Sequence, residues 1–135
     1  MTGSQLQSYT ASAVGLLECS FLIPIVRDSD RAPHAPIVWR SLQDAIRAAF
    51  PKGHSGPELI YKDVETVSGE YVEEATMRIV SDVSRRYTVA IPRSKLDDLR
   101  DLLRRAANTF DQKAIYLSVA GEVEFVTPRS KDGML

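Results

Sequence analysis

The stretch Leu16–Val26, with the sequence LLECSFLIPIV, decides the fold, because its alternate residues fall into two sets of different polarity. In an extended chain, successive side chains point to opposite faces. The fully apolar set comprises Leu17, Cys19, Phe21, Ile23 and Ile25. The mixed set comprises Leu16, Glu18, Ser20, Leu22 and Pro24. This alternation predicts a β-strand with one buried face. Pro24 has no backbone N–H, which indicates an edge position or an irregularity near the strand end.

Two longer segments carry apolar residues at helical spacing. Pro36 suits the first turn of a helix whose apolar stripe runs from Trp39 to Phe50. A second helix is predicted to begin at Ser94, a residue type favoured at the N-cap. Its apolar stripe comprises Leu96, Leu99, Leu102, Leu103, Ala106 and Phe110.

The remaining periodic segments are short and extended. Strands are predicted at Leu59–Val67, Arg86–Ile91, Ala114–Val119 and Glu122–Val126. Ser68 and Gly69 predict a turn, and Glu70–Asp82 fits either a short strand with a crossing segment or a helical turn. The order of elements predicts an α+β fold of the ferredoxin-like β-α-β-β-α-β type. In that fold, two helices cover one face of an antiparallel sheet.

Length and composition restrict the class of protein. The chain has 135 residues, 44% of them apolar and 26% charged, with a formal net charge of −1. These values predict one domain over residues 14–127, a flexible leader over 1–13 and a flexible tail over 128–135. There is no basic excess of the kind that nucleic-acid binding needs. The sequence has neither a membrane-length apolar run nor a secretory signal, so we expect no membrane contact and a cytoplasmic location.

The few soft metal ligands argue against a metal site. Cys19 is the single cysteine, so neither an internal disulfide nor a multi-cysteine zinc site is expected. His34 and His54 lie 20 positions apart and lack helical ligand spacing. We therefore expect no metal and no cofactor. Cys19 belongs to the apolar face of its strand and is interpreted as a small buried hydrophobic residue.

Four short strings together carry a resemblance. They are Phe50-Pro51-Lys52-Gly53-His54-Ser55, Gly69-Glu70-Tyr71, Asp82-Val83-Ser84-Arg85-Arg86-Tyr87 and Phe110-Asp111-Gln112-Lys113-Ala114-Ile115. Their order resembles a small family of uncharacterised bacterial α+β domains, some of them lipoproteins. The chain differs from that family at Tyr71, where a tryptophan is usual, and in lacking a lipoprotein cysteine. It also resembles orphan proteins of mobile integron gene cassettes. Neither resemblance implies an activity.

Candidate catalytic residues each have a structural alternative. His54, in a Pro- and Gly-rich turn, is a candidate general base or a solvated loop histidine. Asp82 is a candidate acid or base, together with Glu73 and Glu74, or belongs to an exposed acidic edge. Alternation places Asp82 and Ser84 on one face. Arg85 then lies on the opposite face, either to bind an anion or to protect a strand edge.

Three further residues are candidates for ligand binding. Gln112, after the second helix, is suited to hydrogen-bond a ligand or to satisfy backbone groups at the helix end. Trp39 is suited to stack on a planar ligand or to pack in the core. Tyr116 is the one aromatic residue predicted on the helix-free face of the sheet, so an RNA-binding sheet is a weak interpretation.

The helix-free face suggests how the protein works. Its predicted residues are small and half-polar, namely Glu18, Ser20, Leu22, Thr88, Ala90, Tyr116 and Ser118. Small side chains allow a second sheet or a ligand to approach closely, so a homodimer through this open face is expected. The leading hypothesis is a dimeric binding module for a small molecule or a protein partner. The alternative is a small dimeric α+β barrel enzyme acting on a small organic acid, with His54 or Asp82 as the base and Arg85 as the anion anchor.

Overall fold

The strand with the clearest alternation lies in the middle of the sheet. The computed structural model describes residues 16–50, 60–73 and 76–135. Five described strands form one antiparallel sheet in the order β2-β3-β1-β4-β5. The strands are β1 (Leu16–Pro24), β2 (Ile60–Glu73), β3 (Arg78–Pro92), β4 (Ile115–Val119) and β5 (Glu122–Val126). Two helices, α1 (Pro36–Ala49) and α2 (Leu96–Thr109), complete an α+β architecture.

The core lies between the two helices and one face of the sheet. The predicted apolar face of β1 is buried there, with Cys19, Phe21 and Ile23 fully inaccessible to solvent. Phe21 stacks on Tyr87 of the neighbouring strand, with ring centroids 5.2 Å apart. Leu103 of α2 is also fully buried, as its helical spacing predicts. The opposite face of the sheet has no helix over it among the described residues, so it is the open face.

Pro24 is at a strand end and not at a sheet edge. β1 pairs with β3 on one side and with β4 on the other, so the edge interpretation is wrong. Pro24 is the last residue of β1, where a missing N–H breaks no hydrogen bond inside the ladder. Its carbonyl group accepts a hydrogen bond from Nε2 of His34, at 2.9 Å.

β2 and β3 form one long hairpin, which corrects two predictions. Ser68 and Gly69 pair with Val83 and Asp82, so they lie inside β2 and do not form a turn. The turn comes at residues 76–77, and the helical-turn and crossing-segment interpretations of Glu70–Asp82 are wrong. A serine and a glycine have turn composition, but cross-strand pairing satisfies their backbone groups equally well.

The start of α2 also differs from the prediction. A single 3₁₀ turn, Arg93–Lys95, precedes the helix, and Ser94 lies within that turn. Lys95 is the N-cap and no side chain caps it. The N–H of Leu96 donates to the carbonyl of Arg93, so the tighter turn itself satisfies a terminal backbone group.

The C-terminal segment, residues 128–135, lies against α2. The side-chain amide of Asn108 donates to the carbonyl of Gly133 at 2.8 Å and to that of Arg129 at 3.2 Å. The N–H of Leu135 donates to Oγ1 of Thr109 at 2.9 Å. The structure therefore places the predicted flexible tail on the helix, while the predicted leader over residues 1–13 lies outside the described residues. In the described part of the chain, every helix is too short or too polar to cross a membrane.

Candidate functional site

A groove lies on the open face, at the end of the sheet where Pro24 pairs with Ser84. Its volume is about 770 Å³, which is enough for a ligand of nucleoside size. Leu22, Arg86 and Tyr116 form part of its floor, and each of them alternates with a buried residue of the core. The groove is therefore built by the period-two pattern of three adjacent strands.

Aromatic side chains line one side of the groove. Tyr116 of β4 and Phe125 of β5 meet edge to face, with ring centroids 5.9 Å apart. Phe125 remains 67% exposed, which is unusual for so large an apolar side chain. The pair offers a ligand an apolar surface with one phenolic hydroxyl group.

Two connections contribute further residues to the lining of the groove. The loop after β1 and the connection after α2 are joined where the N–H of Asp28 donates to the carbonyl of Asp111, at 2.9 Å. The Asp28 carboxylate in turn accepts from the N–H of Lys113, at 2.8 Å. The N–H of Ser29 donates to the Asp111 carboxylate at 2.9 Å, and hydrogen bonds from Ser29 lower the pKa of that group. These bonds fix the positions of Asp28 and Lys113, which both line the groove.

Gln112 belongs to the connection after α2 and is itself one of the residues that line the groove. It is 5% exposed, and its amide nitrogen donates to the carbonyls of Val26 and Phe110, both at 2.8 Å. The amide nitrogen is thus used within the protein, as in the interpretation that Gln112 satisfies backbone groups at the helix end. Gln112 joins the end of β1 to the end of α2, and in doing so it supports the groove.

Charged groups of both signs line the groove. Asp82 of β3 and Arg31 of the loop after β1 form an ion pair at 3.8 Å. Glu70, Arg86 and Lys113 also line it. Alternation placed Asp82 and Ser84 on one face without saying which, and in the structure both line this groove. A groove with these groups suits a ligand that carries both positive and negative charge.

Arg85 and Trp39 are together on the other face of the sheet. The guanidinium carbon of Arg85 lies 3.9 Å from the centroid of the Trp39 ring. Because β3 is paired on both sides, the interpretation of Arg85 as a strand-edge charge is wrong. Trp39 is half-buried and packs against Phe110, with ring centroids 4.9 Å apart. Neither Arg85 nor Trp39 lines the groove, and His54 lies outside the described residues.

The side chains of His34 and Cys19 pack against other parts of the protein and do not line the groove. The His34 ring packs edge-on against Trp39 and Phe110, and burial lowers its pKa. Cys19 is fully buried, and desolvation raises the pKa of its thiol to about 11. The thiol is therefore protonated at neutral pH, which agrees with its interpretation as a buried hydrophobic residue. Among the residues that the structure describes, no three His, Cys, Asp or Glu side chains are grouped closely enough to hold a metal ion.

Sequence reasoning missed several groove residues. Arg86 was missed although it has the same parity as Asp82 and Ser84 in β3, so alternation would have been enough to place it on the same face as those two residues. Phe125 was predictable in the same way once β4 and β5 were recognised as a hairpin, because it pairs with Tyr116. Arg31 and Lys113 belong to irregular connections that periodicity does not describe.

Comparison with known proteins gives a structural likeness alone. No protein-family model matches the sequence, and no curated protein is similar to it. A phage SAM lyase, solved in complex with S-methyl-5'-thioadenosine, matches with a TM-score of 0.56 at 15% identity, covering 84% of this chain and 90% of that one. Its apo form matches over the same shares with a TM-score of 0.47 at 10% identity. The first match shows a shared fold. The resemblance to the bacterial domains and to integron cassette proteins stays a prediction.

Proposed function

We propose that this chain is a small-molecule enzyme whose ligand occupies the groove on the open face. The observation that carries the proposal is the composition of that groove. One cavity brings the aromatic pair Tyr116 and Phe125 together with the carboxylates of Glu70 and Asp82 and the cation of Arg86. The preferred ligand therefore combines a planar ring with charged groups of both signs.

The structural neighbour suggests which ligands to test first. A phage SAM lyase of the same fold was solved with S-methyl-5'-thioadenosine, a nucleoside with a planar base and a thioether. In S-adenosylmethionine the same sulfur also carries an amino-acid chain, which makes that sulfur a sulfonium cation. A sulfonium cation is attracted both to carboxylates and to aromatic faces, and the groove offers both.

We also infer two finer features of the assembly. The segment from β1 to β4 with both helices forms a ferredoxin-like unit to which β5 is added. The strand order β2-β3-β1-β4 and the element order β-α-β-β-α-β support this.

A second copy of the chain covers the half of the open face away from the groove. That half of the open face carries the small residues Ser20, Thr88 and Ser118 beside the half-exposed Val123. These residues support the contact.

The test of function is incubation of the protein with S-adenosylmethionine, followed by chromatography for S-methyl-5'-thioadenosine and for homoserine lactone. These two products form when the carboxylate of the amino-acid chain displaces the thioether from the γ-carbon of the same chain. We expect protein-dependent product formation that is lost in Glu70→Gln, because Glu70 lines the groove. Glu122→Gln is the matched control, an exposed carboxylate of the same sheet that does not line it. Binding of S-methyl-5'-thioadenosine without any turnover would favour the binding-module hypothesis. If the protein neither binds S-methyl-5'-thioadenosine nor forms it from S-adenosylmethionine, the proposal is wrong.

A further inference from the structure

We propose that Arg31 and Asp82 form a subsite for an α-amino-acid head group, in which Arg31 binds the carboxylate and Asp82 binds the ammonium group. This inference rests on the proposed function, since it assigns one part of the same groove to one part of the ligand. Both residues line the groove, and they face each other as an ion pair at 3.8 Å. An α-amino acid carries the two complementary charges, an ammonium and a carboxylate, on groups attached to the same carbon.

The backbone at Arg31 is held in an unusual conformation. Its φ of 59° lies in the left-handed region, which a residue with a Cβ seldom adopts. The N–H of Arg31 donates to the carbonyl of Arg27 at 3.0 Å, and the N–H of Arg27 donates to the carbonyl of Ala32 at 2.8 Å. The Asp30 carboxylate accepts from the N–H of Ala32 at 3.0 Å. Strained positions persist where the surroundings fix them, and they concentrate at ligand sites.

The ion pair is suited to open for a ligand. Its single contact is long for a salt bridge, and the two side chains are 49% and 19% exposed. Pairs of this kind contribute little to stability, so exchanging each partner for a ligand group has a small cost. Asp82 is held in place when its Oδ1 accepts from the N–H of Val83, at 3.0 Å. A guanidinium group matches the geometry of a carboxylate, which assigns the ligand carboxylate to Arg31.

Two ligands that differ only in the group attached to sulfur test this subsite. S-adenosylhomocysteine carries the amino acid and S-methyl-5'-thioadenosine does not, while both contain the same adenosyl thioether. By isothermal titration calorimetry, Arg31→Gln and Asp82→Asn are each expected to weaken binding of S-adenosylhomocysteine by about tenfold or more. Binding of S-methyl-5'-thioadenosine is expected to change by less than about threefold, because it makes no charged contact there. Arg47→Gln is the control, an exposed arginine in an ion pair with Asp44 on α1.

The outcomes separate this inference from the proposed function. If the variants reduce the affinity for both ligands equally, or for neither, the subsite assignment is wrong while the groove remains the binding site. If the wild-type protein binds S-methyl-5'-thioadenosine but binds S-adenosylhomocysteine no more tightly, the assignment is also wrong. If it binds neither ligand, the proposed function fails and the subsite fails with it. Thermal melts show whether each variant is folded. If one variant does not fold, the affinities of the other variant test the subsite.

Discussion

Arg100 of α2 and Glu124 of β5 are joined by two hydrogen bonds, Nε to Oε1 at 2.8 Å and Nη2 to Oε2 at 3.0 Å. The pair holds the outermost described strand against the helix layer. Its side-chain hydrogen bonds raise the pKa of Arg100 and lower that of Glu124. Phe125 follows Glu124 on the opposite face of β5, so this contact also positions an aromatic wall of the groove.

Replacing Glu124 by Gln should destabilise the fold modestly at neutral pH. Because the two side chains are 29% and 38% exposed, the loss is expected to be below about 1 kcal/mol. The folded-state pKa of Glu124 is lowered, so its contribution is present above the ordinary value of 4.5 and decreases as pH falls below it. Urea denaturation at pH 7 and pH 3.5 measures this. A difference between wild type and variant that grows at low pH would contradict the assignment.

A second pH dependence is expected from His34. It arises because burial disfavours the charged form of His34, whereas the ion pair favours the charged form of Glu124. Burial lowers its folded-state pKa below 6.5, outweighing the hydrogen bond to the Pro24 carbonyl, which raises it. Arg27 and Arg85 lower the pKa further, and Asp111 raises it. The unfolded chain then binds more protons, so the free energy of unfolding decreases as pH falls below 6.5 and stops decreasing below the folded pKa. Urea titrations from pH 8 to pH 5 should show a flatter profile for His34→Gln than for wild type. Identical profiles would show that His34 is not desolvated.

Arg85 is expected to stabilise Trp39 without taking part in ligand binding. Trp39 is the single tryptophan, so intrinsic fluorescence reports on this contact. Arg85→Ala should shift the emission to longer wavelength and destabilise the protein by about 0.5–1 kcal/mol, because the ring loses its cation–π partner. Affinity for S-methyl-5'-thioadenosine should be unchanged, since Arg85 lies on the helix side of the sheet. A large loss of affinity would place Arg85 in the ligand site after all.

The proposed homodimer gives a fourth prediction. Thr88 lies opposite Ser20 on the open face, outside the groove. Thr88→Arg should convert the dimer to a monomer, because an arginine prevents close approach of a second sheet. Light scattering on the purified protein measures the mass, and Gln43→Arg on the exposed side of α1 is the control. A wild-type monomer at all concentrations would contradict the proposed dimer, and a variant that stays dimeric would move the contact elsewhere.

Most of the fold was predictable because periodicity is a local property. Alternation in β1 and helical spacing in α2 each specify a buried face, and the structure buries Phe21 and Leu103 accordingly. The β2–β3 hairpin was missed because Ser68 and Gly69 have the composition of a turn. Only pairing with Val83 and Asp82, which lie 15 and 13 residues further along the chain, shows that they continue a strand.

The site was less predictable than the fold. Tyr116 faces the open side of its strand as alternation indicated, and it lines the groove together with Asp82, which was predicted only to share a face with Ser84. Arg85 and Trp39 were selected as candidates for their chemistry. Arg85 faces the helix side of β3 and Trp39 belongs to α1, so both lie on the side of the sheet away from the groove. Arg31 and Lys113 enter the groove through hydrogen bonds between two connections far apart in sequence, such as the bond between Lys113 and Asp28. No local pattern encodes such a contact.

The most direct test of the account is an NMR titration of ¹⁵N-labelled protein with S-methyl-5'-thioadenosine. Binding in the groove predicts saturable shifts of the backbone amides of Leu22, Ser84 and Tyr116, whose residues line it. The amide of Gln43, on the exposed side of α1, should not move. Shifts confined to the helix layer, or the absence of any saturable shift, would contradict the claim that the open-face groove binds this class of small molecule.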